Sequence, residues 1–440
     1  MNILHYALGF PPYRTGGLTK FCMDLMHEQI NEGHQVSMIW PGTITSIGGK
    51  TTIKQKRSVE GCGNYEIVNP IPVPYDEGIV DVSAFVASGG INVYNRFLET
   101  LRPEIIHVHT LMGLHENLLI AAKRLGIKLV FTTHDFFPIC AKVTLFRDGM
   151  VCPDAMNCNS CPKCNLTALS LRKIQVLQSP AYRVLKNNPI VKHFRKTHRD
   201  EYLSGEQQTD ANPTNLVADY LQLRNHYSHL LDYMDFIHYN SSLAKGVYEQ
   251  FMGVRKGAII PITHADVRNR KQIYHYNHTT LRITYLSAQS GAKGYYVLKK
   301  VLDKIWEKGK DFELNVFFRP NEGAPYIRSH DRYGYDQLGS IFNNTDVLIQ
   351  PSIWYETFGF TVLEALSYGT PVIVSDHVGA KDILPGGGGI IINSAAELEE
   401  VITSLTWDTL ESMNKTIVKN FDVPTIQDCC KEIMERAYAK

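Results

Sequence analysis

Short apolar, β-branched segments that alternate with segments of helical periodicity constrain the fold of this chain more than any other feature. In the first part of the sequence the apolar segments are "NILHYALG", "QVSMIW", "EIIHVHT" and "KLVFTTHD". Between the first two, "GLTKFCMDLMHEQINEG" places one apolar face on a helix, formed by Leu18, Phe21, Cys22, Leu25 and Met26. Strands that alternate with helices predict βαβ units around a buried parallel sheet. The first half is therefore predicted to be Rossmann-like.

The same alternation resumes after an irregular middle section, in "GAIIPIT", "LRITYLSA", "FELNVFF", "DVLIQPS", "TPVIVSD" and "GGIIIN". A chain of 440 residues also exceeds the size at which one hydrophobic core stops growing. We predict an α/β protein with two doubly wound domains. The first spans residues 1–255 and carries an insertion at about 140–230, the second spans 256–415, and 416–440 form a terminal helix.

Bulk composition excludes several classes of protein. The formal net charge is +1 and 44% of the residues are hydrophobic, so neither a disordered chain nor a nucleic-acid-binding protein is indicated. The sequence has no run of roughly 18 apolar residues and enters a strand directly at its N-terminus. These features predict a cytoplasmic protein.

The stretch "YETFGFTVLEAL" places Glu356 in a loop after a predicted strand and Glu364 inside a helix. Between them, the N–H groups of Gly359, Phe360 and Thr361 form the unpaired start of that helix, which is a ready anion site. On spacing alone the alternative is that Glu356 offsets the helix dipole and Glu364 is an exposed helix residue.

The longer segment "PSIWYETFGFTVLEALSYGTPVIVSD" resembles the E-x7-E signature of the retaining glycosyltransferases of family 4, the group 1 glycosyltransferases. The resemblance implies two Rossmann-like domains that face a cleft, the GT-B fold, with an N-terminal acceptor domain and a C-terminal nucleotide-sugar domain. It implies that Glu364 bonds the ribose hydroxyls and that Glu356 lies near the transferred sugar. Phe358, Gly359, Phe360 and Thr361 would form the turn that meets the diphosphate, and the terminal helix would cross back to the first domain.

A second match lies in "LSAQSGAKGYYVLKKV", where Lys293 and Gly294 resemble the Lys-Gly of the family. The lysine would counter the charge that develops on the diphosphate leaving group. The family's arginine, five residues earlier, is replaced here by Ala288. Arg319 is predicted to contact the donor in its place, with Arg332 as the alternative. An isolated lysine in such a segment would otherwise be a surface charge.

The first half contributes Gly16 and Gly17, between the first strand and first helix, and His134, at the end of "FTTHD". A Gly-Gly pair is also compatible with a simple tight turn, and a histidine after a strand with a structural role. The glycines resemble the family's first glycine-rich loop, next to donor and acceptor. The resemblance makes His134 a residue that contacts the sugar near the reacting carbon rather than a general base.

The resemblance implies transfer of a sugar, with a UDP-sugar as expected donor, to a glycan or lipid-linked acceptor in surface polysaccharide biosynthesis. Attack on the front face requires no pair of glycosidase carboxylates. No Asp-x-Asp lies in a convincing strand-end context, so no catalytic metal is expected. A degenerate partner subunit and a nucleotide-sugar epimerase are the alternatives on the same fold, and a glucan phosphorylase is a more distant one.

Five cysteines follow His134 closely: Cys140, Cys152, Cys158, Cys161 and Cys164. The Cys-x2-Cys-x2-Cys spacing, with two further thiols upstream, is dense enough for a structural zinc site. Free thiols, a disulfide and an iron–sulfur cluster are the alternatives.

Residues 155–199 contain no Asp or Glu and nine Lys or Arg residues: Lys163, Arg172, Lys173, Arg183, Lys186, Lys192, Arg195, Lys196 and Arg199. A basic, partly amphipathic segment of this kind is typical of contact with an anionic membrane surface. The alternative is a solvated helical excursion. The first interpretation predicts peripheral association with the inner face of the cell membrane.

Overall fold

The computed structural model describes residues 1–47, 49–74, 78–185, 188 and 216–439. The first sheet has the strand order β10-β9-β6-β5-β1-β2-β4-β3, and only β3 is antiparallel to its neighbour. Its strands are β1 (Asn2–Tyr6), β2 (Gln35–Pro41), β3 (Thr52–Val59), β4 (Cys62–Val68), β5 (Ile105–Val108), β6 (Lys128–Thr132), β9 (Phe236–Tyr239) and β10 (Gly257–Ile259). The apolar segments form the buried strands, as the sequence predicts.

Helices cover both faces of this sheet: α1 (Gly17–Asn31), α2 (Ile91–Leu101), α3 (Glu116–Arg124), α7 (Val217–Asp232) and α8 (Ser242–Met252). The insertion adds a small hairpin, β7 (Phe146–Arg147) with β8 (Met150–Val151), and short helices α4 (Cys161–Cys164), α5 (Leu171–Leu177) and α6 (Pro180–Leu185). On α1, Phe21, Cys22 and Leu25 are completely buried, so its predicted apolar face packs on the sheet.

The second sheet is entirely parallel, with the order β13-β12-β11-β14-β15-β16. Its strands are β11 (Leu281–Tyr285), β12 (Phe312–Val316), β13 (Ile327–Ser329), β14 (Val347–Gln350), β15 (Val372–Ser375) and β16 (Gly389–Ile392). The helices are α9 (Tyr295–Glu307), α10 (Leu338–Asn343), α11 (Phe360–Tyr368), α12 (Ala395–Ser404), α13 (Trp407–Asn420) and α14 (Ile426–Arg436). The prediction of two Rossmann-like doubly wound domains is confirmed.

One strand lies in a different sheet from the predicted one. The segment "GAIIPIT" was assigned to the second sheet, but β10 pairs in parallel with β9 at the edge of the first. A short apolar run does not reveal which sheet it joins, because that depends on pairing with residues distant in sequence. The first sheet therefore continues past residue 255, and the proposed limit at 415 falls inside α13.

The end of the chain returns from the second domain to the first. Helix α14 packs on α1, where Gln427 Nε2 donates to Glu28 Oε2 at 2.7 Å. Beyond α14, Tyr438 is buried, and its hydroxyl lies 2.7 Å from His107 Nδ1 on β5. Apolar side chains of both domains and of α14 thus share one core.

The basic segment is only partly described, since Lys186, Lys192, Arg195, Lys196 and Arg199 lie outside the described residues. Arg183 has a structural role: its guanidinium lies 2.8 Å from Glu66 Oε1 and 4.9 Å from the centre of the Trp40 ring. Burial alone would raise the pKa of Glu66, but hydrogen bonds from Lys56, Thr43 and Arg183 lower it to about 2. Lys163, Arg172 and Lys173 are exposed, as a charged face requires.

Candidate functional site

Glu364 is buried in α11, with only 3% of its surface exposed. Its Oε1 accepts a hydrogen bond from His264 Nε2 at 3.0 Å, and His264 is completely buried. No described residue hydrogen-bonds the other carboxylate oxygen. The alternative interpretation of Glu364 as an exposed helix residue is therefore wrong, and one of its oxygens is left for a ligand.

Helix α1 of the first domain holds the segment that carries His264. Lys20 Nζ lies 2.7 Å from Asp266 Oδ2, and the backbone N–H of Ala265 donates to Asp24 Oδ2 at 2.8 Å. Lys20 and Asp24 lie one turn apart on α1 and also contact each other at 2.9 Å, with Asp24 buried and Lys20 half-buried. The position of the Glu364 carboxylate thus depends on contacts between the domains.

Lys293 and Glu356 form an ion pair. They belong to the loops that follow β11 and β14, which are neighbours in the sheet, so the carboxyl ends of the two strands bring the loops together. The indole N–H of Trp354 also donates to Glu356 Oε2 at 3.1 Å, and Lys293 Nζ lies 4.5 Å from the Trp354 ring centre. The cation therefore lies at the same cleft wall as the predicted sugar-contacting carboxylate.

Backbone geometry fixes the Lys293 loop. The buried hydroxyl of Tyr285 lies 2.9 Å from the carbonyl oxygen of Ala288 and 3.2 Å from that of Lys293. Gly294 has a φ of +80°, and a Cβ at this position would lie 1.8 Å from the carbonyl oxygen of Pro351. Only glycine allows this approach.

No second cation contacts Lys293 among the described residues. Arg319 and Arg332 are both exposed. The loop of Arg319 touches the loop of Ala288, because Asn321 N donates to Gln289 Oε1 at 3.3 Å. The structure therefore brings the Arg319 loop next to the position of the family's arginine.

The turn between the two glutamates ends at Gly359, which has a φ of +107° and precedes α11. No side chain caps the first turn of α11, so the first N–H groups of this helix have no side-chain partner at the N-cap, as the predicted anion site requires. A Cβ on Gly17 would lie 3.3 Å from the Phe360 ring, so the glycine loop of the first domain meets this turn directly. Thr361 Oγ1 lies 3.5 Å from Gln350 Oε1. Phe358 packs its side chain in the core and contributes only backbone to the turn.

His134 lies across the cleft from Glu356. Its carbonyl oxygen accepts a hydrogen bond from Thr357 Oγ1 at 3.0 Å, and Ser241 Oγ donates to the carbonyl oxygen of Thr357 at 2.5 Å. Burial and the neighbouring His238 lower the pKa of His134 to about 3. The imidazole is therefore neutral near pH 7, which suits a sugar contact and not a proton acceptor of useful strength.

Cys161 and Cys164 are the first and last residues of α4, and the other three cysteines of the insertion precede this helix. Cys158 Sγ lies 2.9 Å from Arg224 Nη2, and its pKa is lowered to about 7 by a hydrogen bond from the Cys161 thiol and by Arg224. Cys140 and Cys164 are also close enough to interact electrostatically. Within the described part of the chain, however, the only set of three or more potential ligand atoms within 4.8 Å of one another is that of His5, His107 and His109. Zinc binding by the cysteines stays a prediction.

Comparison with known proteins places these residues in a family. The family model described as Glycosyltransferase Family 4 matches residues 15–151, and the model described as Glycosyl transferases group 1 matches residues 328–420. The chain belongs to the group 1 glycosyltransferases of family 4. The first match includes Gly16, Gly17 and His134, and the second includes Glu356 and Glu364, whereas Lys293 lies between them.

Two curated family relatives match part of the chain. The sulfoquinovosyl transferase SQD2 of Arabidopsis thaliana is 32% identical over 125 residues, which cover 26% of this chain and 23% of the relative. The D-inositol 3-phosphate glycosyltransferase of Arthrobacter sp. (strain FB24) is 28% identical over 128 residues, covering 28% of this chain and 26% of the relative. The chain thus matches about a quarter of the length of each relative.

Several solved structures are similar to this chain over nearly its whole length, at low sequence identity. Anabaena HepE, in complex with UDP and glucose, is 14% identical, with a TM-score of 0.54 and full coverage of both chains. WaaG, a glycosyltransferase involved in lipopolysaccharide biosynthesis, is 12% identical with a TM-score of 0.54, covering 98% of each chain. A sucrose-phosphate synthase from Thermosynechococcus elongatus is 12% identical with a TM-score of 0.53, covering 98% of this chain and 94% of the synthase. These similarities support the shared fold.

Proposed function

We propose that the chain is an active retaining glycosyltransferase that moves a sugar from a nucleotide diphosphate donor, a UDP-sugar, to a glycan or lipid-linked acceptor in surface polysaccharide biosynthesis. One observation carries the proposal. The turn that starts α11 has a buried, half-partnered carboxylate at Glu364 on one side and the Glu356–Lys293 pair on the other. The spacing suits a ligand with a hydroxyl-bearing end, an anionic centre and a sugar.

Each part of the donor has a matching group in this arrangement. The free oxygen of Glu364 accepts hydrogen bonds from the ribose hydroxyls, and the N–H groups at the start of α11 bind the diphosphate. Gly17 lets the first domain approach the same turn, because any side chain there would meet Phe360. His134 forms a hydrogen bond with the sugar from the opposite side of the cleft.

The chemical step breaks the bond between the anomeric carbon and the phosphate oxygen. The acceptor hydroxyl forms the new bond on the same face of the sugar, and its proton goes to the departing phosphate. The nucleoside diphosphate leaves with the electron pair of the broken bond. Lys293 stabilises the negative charge that builds on it, and Glu356 orients Lys293 and lies near the positive charge on the sugar. No catalytic metal is required by this scheme.

The donor and acceptor classes draw support from the relatives. HepE was solved with UDP and with UDP-glucose, and WaaG acts in lipopolysaccharide biosynthesis. A peripheral membrane site on the cytoplasmic side is supported by the exposed apolar side chains of Val176, Val184 and Leu185, which lie near the exposed Arg172 and Lys173. None of the helices in the described residues has the length and apolar character needed to cross a bilayer.

We also propose that the insertion binds structural zinc through four of its five thiols. Cys158 interacts with Cys161, and Cys140 interacts with Cys164. In the described residues no three of these thiols lie within 4.8 Å of one another, so zinc would have to draw the two pairs together. Metal analysis of protein purified without a polyhistidine tag should give about one zinc per chain. Less than half an equivalent of zinc or iron would reject a metal cluster.

The proposed function predicts a specific response to nucleotide-sugars. A panel of nucleotide-sugars is scored for thermal stabilisation and for slow hydrolysis of the donor, and at least one UDP-sugar should raise the melting temperature. Glu364→Ala should weaken its binding by roughly 10- to 100-fold, because hydrogen bonds to a charged group are worth about 1.5–3 kcal/mol. Glu356→Ala should reduce hydrolysis more than binding.

The matched control is Glu411→Ala, since Glu411 is a helix residue whose partner is Lys415 on the protein surface. It should behave like the unmodified protein in both measurements. If no nucleotide shifts the melting temperature and neither site variant has an effect, the glycosyltransferase proposal is wrong. Binding without release or transfer of any sugar would instead favour the degenerate subunit.

A further inference from the structure

A buried hydrogen-bond network runs through the first domain on the sheet face covered by α1 and α14. It begins at the cleft, where His134 Nε2 lies 3.1 Å from His109 Nδ1. His109 Nε2 is 2.9 Å from His5 Nδ1, and His5 Nε2 is 2.7 Å from Gln29 Oε1 on α1. Four side chains, from β1, from the loops after β5 and β6 and from α1, thus form an unbroken row that leads away from the donor site.

The row continues through the end of the chain. Gln29 Nε2 donates to the hydroxyl of Tyr438 at 3.2 Å, and this hydroxyl lies 2.7 Å from His107 Nδ1. His107 Nε2 is 2.6 Å from Thr132 Oγ1, which is 2.9 Å from His238 Nδ1. The last contact is from His238 Nε2 to the backbone carbonyl oxygen of Ile260, at 2.7 Å.

The imidazoles of the network are neutral. Burial lowers the pKa of His5 to about 4 and that of His238 to about 4, and it moves the pKa values of His107 and His109 well below the ordinary range. A neutral imidazole has one N–H donor and one acceptor nitrogen, so each ring passes on the direction of the hydrogen bond that it receives.

The carbonyl oxygen of Ile260 sets this direction, because it can only accept. His238 must therefore donate from Nε2 and accept at Nδ1 from the Thr132 hydroxyl. Thr132 in turn accepts from His107 Nε2–H, which leaves His107 Nδ1 to accept from the Tyr438 hydroxyl. Each step follows from the previous one without any further choice.

The second half of the network inherits the same direction. The Tyr438 oxygen accepts from the Gln29 amide N–H, so the Gln29 carbonyl oxygen faces His5 and accepts from its Nε2–H. His5 Nδ1 then accepts from His109 Nε2–H, and His109 Nδ1 accepts from His134 Nε2–H. Because the proton of His134 lies on Nε2, its Nδ1 is an acceptor, and no described residue hydrogen-bonds that nitrogen.

A metal ion held by His5, His107 and His109 is the other use of this cluster. The rings of His107 and His109 are stacked, with centres 4.2 Å apart and planes inclined by 28°. The lone pairs of a ring lie in its own plane, so stacked rings do not direct them to one ion. Each nitrogen also already has a partner in the network. The geometry favours the hydrogen-bond network over a metal site.

We propose that Tyr438, Gln29 and the buried histidines are positioning residues that hold His134 as the Nε2–H tautomer and present its Nδ1 as a hydrogen-bond acceptor to a hydroxyl of the donor sugar. The end of the chain, which reaches the first domain from the second, is thereby part of the sugar site. The role of Nδ1 toward the sugar rests on the proposed function, whereas the tautomer itself does not.

The test is a long-range ¹H–¹⁵N correlation spectrum of the full chain labelled in histidine, with the His134 signals assigned by His134→Gln. The unmodified protein should show a single Nε2–H tautomer at His134. In Tyr438→Phe the Gln29 amide loses its acceptor and can reverse, which reverses the row up to His134. The spectrum should then show a mixture with a measurable Nδ1–H form. Thr132→Val breaks the row elsewhere, without a change in side-chain shape, and should give the same mixture.

Tyr227→Phe is the matched control, because its hydroxyl is also buried and donates only to the backbone carbonyl of Phe85 at 3.1 Å. It should leave the His134 tautomer unchanged. A pure Nδ1–H form in the unmodified protein, or an unchanged tautomer in both folded variants of the network, would overturn the proposal.

With an identified donor, Tyr438→Phe should lower kcat by up to about tenfold, which corresponds to the free energy of one neutral hydrogen bond. The melting temperature of Tyr438→Phe should differ little from that of Tyr227→Phe. A tautomer shift without any nucleotide-sugar binding would reject the proposed function and retain the network.

Discussion

Replacement of Lys293 by alanine is expected to lower kcat for sugar transfer by about 100- to 1000-fold, the range for loss of one preorganised group that stabilises developing negative charge. No second cation contacts Lys293 in the described residues, and Ala288 occupies the place of the family's arginine. The loss should fall mainly on kcat, because the charge on the diphosphate increases in the transition state. Donor KM should change less, since Glu364 and the start of α11 still bind the nucleotide.

The loop should keep its shape in this variant, because Tyr285 and Gly294 fix its backbone independently of the lysine side chain. Lys299→Ala is the matched control: Lys299 lies on the helix that follows the loop and pairs with Asp303. It should retain nearly full activity. A loss of less than about tenfold in Lys293→Ala would assign the stabilising charge to another residue. A parallel loss in Arg319→Ala or Arg332→Ala would then identify it.

Sequence patterns were sufficient to predict the fold, because both halves of the chain show the same clear alternation of apolar strands and amphipathic helices. The buried strands of a parallel sheet are continuous apolar runs, and α11 is bounded by Gly359 and Gly369, both at positive φ. The sequence does not indicate the sheet to which β10 belongs, because this strand has only three residues, Gly257–Ile259, and two apolar side chains. Such a short segment fits either sheet equally well. The pairing of β10 with β9 places it in the first sheet, and strand pairing depends on residues that are distant in the sequence.

The site was predictable to the extent that it follows the carboxyl ends of strands. Lys293 and Glu356 lie 63 positions apart, and their contact follows from the adjacency of β11 and β14. His264 and Tyr285 were missed, because an isolated histidine or tyrosine near a strand gives no sign of its partner. Both act through contacts that only the folded chain creates.

The histidine network did leave a signal in the sequence. β1, β5 and β9 each contain one histidine among apolar residues, in "NILHY", "IIHV" and "FIHY". In β6, Val130 lies opposite His107, and Thr132 follows two residues later on the same face of the sheet. The pairing register places His5 opposite His107, and Thr132 opposite His238. A polar residue at the same depth of neighbouring buried strands predicts a shared hydrogen-bonded layer, since a lone buried polar group is costly.

Gly294→Ala is expected to have the second large effect, on stability and activity together. The left-handed backbone at φ +80° costs a residue with a Cβ about 1–2 kcal/mol. The new Cβ would also lie 1.8 Å from the backbone oxygen of Pro351, which cannot rotate away, so the loop or the end of β14 must shift. Such overpacking costs typically about 1–3 kcal/mol.

Gly309→Ala separates the two contributions. Gly309 has a similar φ of +85°, but no atom lies within 4 Å of its potential Cβ. Urea denaturation should therefore show a loss of about 1 kcal/mol for Gly309→Ala and of several kcal/mol for Gly294→Ala. Turnover should fall by about 100-fold or more only in Gly294→Ala, since a displacement near 1 Å of a catalytic group is enough for that loss. Equal behaviour of the two variants would contradict the close approach of Gly294 to Pro351, and with it the structural basis for the position of Lys293.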